Sequence, residues 1–91
     1  LATDEPTLLS KILVWPNPAQ DRIMLDLHQV LPQLLRLDLL TADGRLLRQF
    51  DQSNLQAQLT LNLGNDVTSG MVLLVFYDLE GGIFTKKIVI R

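Results

Sequence analysis

The side chains that could carry catalysis in this chain are spaced in a way that does not assemble a catalytic site. His28 is the only histidine, and a catalytic base needs a nucleophile and an orienting acid within reach. The serines are Ser10, Ser53 and Ser69, and none of them stands in the Gly-x-Ser-x-Gly pattern of a nucleophile elbow. We therefore expect His28 to be a solvated surface residue.

The acidic residues have the positions of turn and surface residues. They are Asp4, Glu5, Asp21, Asp26, Asp38, Asp43, Asp51, Asp66, Asp78 and Glu80. Most fall in predicted turns, where aspartate is favoured because its side chain bonds to the local backbone. Asp26 and Asp38 instead fall within predicted strands, on outer faces. Pairing with Arg22 or Arg36 across strands would satisfy them there.

Cofactor chemistry has no support in the sequence. One histidine without cysteine makes a zinc site improbable, and no Asp-x-Asp-x-Asp-Gly spacing marks a calcium loop. Gly81-Gly82 lies between two predicted strands, whereas a phosphate loop needs a following helix N-terminus. We expect no cofactor and no metal, and we predict that the chain is not an enzyme.

Charge and hydropathy exclude two further classes of partner. Eight basic and ten acidic residues give a net charge of -2, without the clustered basic footprint of a nucleic-acid-binding protein. No apolar run reaches the roughly 20 residues of a membrane-spanning helix. We therefore expect neither nucleic-acid binding nor a membrane span.

Two further features at the ends of the chain could bind a partner. Trp15 stands beside a proline corner, and we expect it to plug the core or the corner rather than to bind sugar. Lys86 and Lys87 place charge on both faces of the last predicted strand. Edge protection against stray strand pairing is one interpretation of this pair, and a recognition role is the other.

Composition and periodicity predict one all-β domain. The chain has 91 residues, 47% of them hydrophobic, and no cysteine, so packing alone must hold the fold together. Turn signals recur between short apolar runs, and we predict seven strands at 8–15, 22–28, 34–41, 46–50, 57–63, 71–77 and 83–90. This pattern favours a seven-stranded antiparallel immunoglobulin-like β-sandwich, with a small closed barrel as the alternative.

Period-two alternation predicts which side chains face the core. The expected inward residues of the alternating strands are Ile23, Leu25, Leu27, Leu35, Leu37, Leu39, Ala57, Leu59, Leu61 and Leu63. The segment 71–77 is apolar at every position, so we expect it to be covered on both faces. Asp43-Gly44 predicts a hairpin closed by a tight primed turn. Residues 64–70 read as a loop.

The amino-terminal residues have a different character. Residues 1–7 are polar and broken by Pro6, which is typical of a linker. We therefore expect residues 1–7 to be a linker remnant and residues 8–91 to be the domain. Because the chain opens on Leu1 rather than methionine, we expect it to be a piece of a longer protein.

Several motifs occur in an order that is shared with one known family. They are the corner Trp15-Pro16-Asn17-Pro18, the turn Asp43-Gly44-Arg45, the strand 59–63, Ser69-Gly70 before the next strand, and the lysine-bearing last strand 85–91. With this arrangement the chain resembles the type A C-terminal sorting domain of the type IX (Por) secretion system, from about residue 12 to residue 91. The family's usual tyrosine two residues after the glycine is Val72 here.

The resemblance implies a transport role for the chain. Such a domain acts as a folded label on an N-terminal parent protein, which passes through the periplasm and then reaches the cell surface or the medium. Outer-membrane translocon components would read the label, and a surface sortase would remove it. The expected recognition residues form the last strand: Lys86, Lys87, Ile88, Val89, Ile90 and Arg91. We expect its exposed edge to allow strand addition, so deleting 88–91 should abolish export.

Three other functions remain open at this point. An accessory immunoglobulin- or fibronectin-like module of an extracellular hydrolase could bind carbohydrate through Trp15 or Tyr77, or act as a spacer. An enzyme fragment has the least support, since no acid, base and nucleophile converge. The last strand could also pair edge to edge with a second copy of the chain.

Overall fold

The computed structural model describes residues 8–16, 19, 21–63 and 70–91. The strands are β1 (Leu13–Trp15), β2 (Arg22–Asp26), β3 (Leu34–Thr41), β4 (Leu46–Asp51), β5 (Gln58–Asn62), β6 (Gly70–Asp78) and β7 (Ile83–Ile90). Two short 3-10 turns, Leu8–Lys11 and Leu31–Gln33, complete the regular structure of the described residues.

The strands form two antiparallel sheets. One has three strands in the order β1-β2-β5, and the other has four in the order β4-β3-β6-β7. Arg48 of β4 donates a hydrogen bond to the carbonyl of Asn62 of β5, so these two edges lie on the same side of the molecule. The predicted seven-stranded antiparallel sandwich is confirmed, and the two sheets formed by the described residues do not close into a barrel.

One hydrophobic core fills the space between the sheets. Phe76 of β6 is its largest fully buried side chain, and Leu25, Leu61 and Ile88 are also buried within it. These residues come from both sheets, so neither sheet could bury its apolar face without the other. Burial of this kind is the main stabilising term in a domain without disulfide bonds.

The alternation predicted for β2 and β5 is largely confirmed. Ile23, Leu25 and Leu27 are fully buried, and Leu59, Leu61 and Leu63 keep at most 9% of their surface exposed. The prediction was wrong for Ala57, which is exposed and precedes β5.

The prediction for Leu35 was also wrong, because β3 carries an irregularity near its start. Leu34 and Leu37 are fully buried, whereas Leu35 keeps 46% of its surface exposed. The register between β3 and β6 shifts between Leu34 and Arg36. The extra residue at such a bulge moves the inward positions by one, which simple alternation cannot anticipate.

The first predicted strand is shorter than expected. Only Leu13–Trp15 pairs with β2, and Leu8–Lys11 forms a 3-10 turn that lies against β7. Residues of the turn have no ladder partner, and a 3-10 turn satisfies backbone groups locally. An apolar run alone does not distinguish this arrangement from a longer strand.

Strand β6 is central in its sheet, as its uniformly apolar sequence suggested. On its inner face Val72, Leu74 and Phe76 are fully buried. On its outer face Val75 is 8% exposed and Leu73 is half-buried. The expectation of two covered faces is therefore met by the inner face, and only in part by the outer one.

The β3–β4 hairpin is confirmed, but its turn type differs from the prediction. The amide of Gly44 donates to the carbonyl of Thr41, and the amide of Thr41 donates to the carbonyl of Arg45. Gly44 has a φ of 96°, whereas Asp43 does not have a positive φ. A primed type I turn needs positive φ at both central residues. The observed geometry is a type I turn followed by a glycine bulge.

Candidate recognition surface

The sole histidine lies at the end of β2 beside an acidic side chain. Nδ1 of His28 lies 2.8 Å from Oδ1 of Asp26, and the same carboxylate oxygen accepts the backbone amide of His28 at 3.0 Å. These bonds lower the pKa of Asp26, with the backbone hydrogen bond as the largest cause. The pair borders an open pocket lined otherwise by Gln56, Ala57 and Gln58.

None of the residues that line this pocket carries a hydroxyl or a thiol, so the pocket places no nucleophilic side chain beside the pair. His28 keeps 63% of its side-chain surface exposed, as expected from the sequence. Asp26 pairs with His28, rather than with Arg22 or Arg36 as the strand pattern suggested.

Asp38 lies on the outer face of the four-stranded sheet, as predicted, but it is buried there, which the sequence did not predict. It is 5% exposed and accepts hydrogen bonds from Arg36 and Gln49, each at 3.2 Å. Arg36 belongs to the same strand, so its ion pair with Asp38 is not the cross-strand pair expected. The Arg36 guanidinium also lies 4.2 Å from the ring centroid of Tyr77. The network satisfies a buried carboxylate and ties three strands together.

The two aromatic side chains considered for sugar binding belong to different sheets. Trp15 lies on β1 of the three-stranded sheet, whereas Tyr77 lies on β6 of the other sheet under Arg36. Trp15 keeps 39% of its surface exposed, so it is not a plug of the core. The other expected role, as a plug of the proline corner, stays a prediction. The partner of Trp15 in the ladder is Met24.

The described residues also contain no group of three or more His, Cys, Asp or Glu side chains that could hold a metal ion. A pocket of about 320 Å³ lies between the second 3-10 turn and the β6–β7 turn. Its lining includes Asp78, whose Oδ1 already accepts the amides of Glu80 and Gly82. No helix in the described part of the chain is long and apolar enough to cross a membrane.

Strand β7 forms one edge of the four-stranded sheet. It carries five of the six residues singled out from the sequence, and the sixth, Arg91, follows it directly. Ile88 and Ile90 point into the core, where Ile88 is fully buried and Ile90 is 2% exposed. Lys87, Val89 and Arg91 are exposed, and Lys86 is half-buried. The structure therefore divides these residues into a buried pair and an accessible group.

The carboxyl-terminal part of the β7 edge is hydrogen-bonded to Ala19, which lies between β1 and β2. Ala19 forms a parallel bridge with Ile90. Its amide donates to the carbonyl of Val89, and its carbonyl accepts the amide of Arg91, each at 2.8 Å. We call this pair of bonds the Ala19 clasp. Sequence reasoning missed it, since only the rigidity of the proline corner pointed to a structural role there.

The amino-terminal part of the β7 edge has no hydrogen-bonded neighbour among the described residues. Because the amide of Asp78 donates to the carbonyl of Gly82, ladder bonding to β6 falls on the even-numbered residues of β7. The backbone groups of Ile83, Thr85 and Lys87 therefore point away from β6, and no hydrogen bond occupies them in the described structure. The open edge is defined here as residues 83–87.

The remaining residues of the family motif differ in how close they lie to β7. Gly70 begins β6 with a φ of 105° and lies opposite Ile90. Asp43 and Gly44 lie in the β3–β4 turn, on the far side of the sheet from β7. Pro16 follows β1 in an exposed position. Asn17 and Pro18 lie outside the described residues.

Comparisons with known proteins agree with this architecture. The C-terminal part of PorZ, described as an essential bacterial surface component of the type-IX secretion system of Porphyromonas gingivalis, is similar in fold. The TM-score is 0.71 at 22% sequence identity, with 91% of this chain and 12% of that chain covered. No curated protein matches the chain.

A family description matches the sequence over most of its length. The secretion system C-terminal sorting domain, a type IX secretion signal family, matches residues 13–91. The match includes all seven strands, and with them both the open part and the clasped part of the β7 edge. The chain belongs to the secretion system C-terminal sorting domain family.

Proposed function

We propose that the chain is a type A sorting signal that directs a larger parent protein across the outer membrane by the type IX secretion system. The parent would enter the periplasm by an ordinary N-terminal signal, and a cell-surface sortase would remove the domain after export. The match over residues 13–91 carries the proposal. It is consistent with export to the cell surface or the extracellular space.

The last strand supports this role as the element that the export machinery reads. It lies at the edge of its sheet, and Lys86, Lys87, Val89 and Arg91 reach solvent. A signal of this kind needs a stable shape and an accessible surface, and it needs no catalytic group.

The accessory-module alternative finds less support. Carbohydrate-binding sandwiches use aromatic rings that face one ligand, whereas Trp15 and Tyr77 belong to different sheets. One face of the Tyr77 ring is also occupied by the Arg36 guanidinium. Glycan binding that depends on either ring would favour this alternative over the sorting role.

Export of a reporter protein tests the proposal. A secreted reporter is fused to the amino terminus of residues 1–91 and produced in a bacterium that has the type IX system. We expect the fusion at the cell surface or in the medium, and the reporter alone in the periplasm. A strain without a working translocon should retain both. Equal retention of both proteins in the intact strain would contradict the proposal.

A further inference from the structure

We propose that the open edge at 83–87, rather than the final residues, is the docking site for an added strand of the export machinery. The docking strand is an extended protein segment with apolar side chains opposite Ile83 and Phe84 and carboxylates opposite Lys86 and Lys87. This inference rests on the proposed function and specifies the partner of the same strand.

The position of this docking site follows from the hydrogen bonds of β7. Ile83, Thr85 and Lys87 offer three amides and three carbonyls that point away from β6. At Val89 and Arg91 the corresponding positions are taken by the Ala19 clasp. A strand added to β7 therefore ends near Lys87, unless it displaces Ala19. The available platform is about five residues long, which suits a short extended segment.

The side chains along the open edge define the chemistry of the partner. Ile83 keeps 63% of its surface exposed, and Phe84 is half-buried beside it. Lys86 and Lys87 form no ion pair among the described residues. Residues directly opposite in a ladder share a face and interact. Apolar groups at one end of the added strand and acidic groups at the other therefore match this edge.

A second copy of the chain matches the edge less well. It would bring another Lys86 and Lys87 to the same interface, which doubles the local positive charge. In an antiparallel pair centred on Thr85, residues 79–81 of the second copy would lie opposite 89–91. The Ala19 clasp already occupies that position. Charge complementarity therefore favours an acidic partner strand over a second copy.

Peptide binding monitored by amide resonances tests the docking site on the purified 91-residue chain. The probe is an acetylated, amidated peptide containing Glu-Glu-Thr-Val-Val, the order for antiparallel pairing, with Val-Val-Thr-Glu-Glu for parallel pairing. We expect one of the two to shift the amides of Ile83, Thr85 and Lys87 most strongly. Peptides with lysine in place of glutamate should bind about tenfold more weakly or not at all. The same result is expected for N-methylated peptides, which are made in two forms so that each set of alternate amides is blocked in one of them.

Two variants of the protein test the same docking site by changing the open edge instead of the peptide. Thr85→Pro removes an amide that points away from β6, and proline is tolerated at such edge positions. The double variant Lys86→Glu, Lys87→Glu reverses the charge, and Arg45→Glu at the distant β3–β4 turn is its control. We expect loss of peptide binding in the first two and unchanged binding in the control. The methylated peptides probe the same hydrogen bonds without changing the protein, so they still test the docking site if Thr85→Pro does not fold.

The outcomes separate this inference from the sorting role. Equal binding of acidic, basic and methylated peptides, or shifts confined to residues outside the open edge, would overturn the inference. Concentration-dependent shifts of the same amides without peptide would assign the edge to a second copy and would also overturn it. If the reporter is exported while the edge binds no peptide, only the docking site is wrong. If the edge binds peptide while the reporter is not exported, the sorting role is wrong.

Discussion

The two halves of the last strand differ in what they contribute. In the carboxyl-terminal half, Ile88 and Ile90 belong to the core, and the Ala19 clasp occupies the strand edge. In the amino-terminal half, the side chains of Ile83 and Thr85 are exposed and the edge is open. A strand that serves both to close the fold and to bind a partner must separate these roles along its length. Here the separation falls close to Lys87.

Among single substitutions, the largest expected effect concerns the buried face of β7. Ile88→Ala should lower the free energy of unfolding by about 2 to 5 kcal/mol, because it leaves a cavity in a fully buried position. Val89→Ala, in the adjacent position with 48% exposure, should cost about 0.5 kcal/mol. Urea unfolding of both variants checks the contrast. Similar losses for both would contradict the assignment of Ile88 to the core and of Val89 to the surface.

Truncation of the last strand affects the core as well as the recognition surface. Deleting 88–91 removes two core residues together with the clasp, so we expect the domain to unfold and export to fail for that reason. Loss of export after this deletion therefore does not locate the recognised residues. Surface substitutions that keep the core intact are the informative variants.

A smaller effect tests the clasp itself. Deleting Arg91 removes the amide that donates to the Ala19 carbonyl and should cost about 1 kcal/mol of unfolding free energy. Arg91→Ala keeps that amide and removes only an exposed side chain, so it should be close to neutral. The Ala19 amide should also exchange faster in the deletion variant. Equal stability of the two variants would show that the clasp does not stabilise the strand end.

The smallest expected effect is on acid stability and involves turns away from β7. The Ser53 hydroxyl lowers the pKa of Asp51, and the Thr41 hydroxyl lowers the pKa of Asp43. A carboxylate whose pKa is lower in the folded state stabilises the fold above its unfolded pKa, near 4, and loses this effect as the pH falls through the folded value. The urea midpoint should therefore drop below about pH 4, and less so in Asp51→Asn. An identical pH dependence in that variant would contradict this assignment.

The sequence predicts the class of the fold well, because the pattern of apolar residues repeats across several strands. Alternation at 23, 25 and 27 and the turn signal at Asp43-Gly44 each identify a local structure that tertiary contacts then preserve. Leu35 and Asp38 depart from expectation because a bulge and a packed polar network depend on neighbouring strands. Such contacts leave no periodic signal in the chain.

In the last strand, too, tertiary contacts decide features that the sequence pattern does not predict. The family resemblance predicts that this strand is a recognition element, and that role stays a proposal. Ile88 lies opposite the buried Val72 of β6, and Ile90 belongs to the same core cluster two residues further along β7. The clasp depends on Ala19, about 70 residues earlier in the chain, and strand periodicity carries no information about contacts at that separation.

Export of the charge-reversed domain tests the central claim most directly. The reporter fused to the chain is compared with its Lys86→Glu, Lys87→Glu variant and with the Arg45→Glu control, after urea unfolding has shown that all three are folded. We predict that the double variant stays in the periplasm while the control is exported like the original. Export of the folded double variant at the original level would contradict the claim that the open half of the last strand is the part recognised.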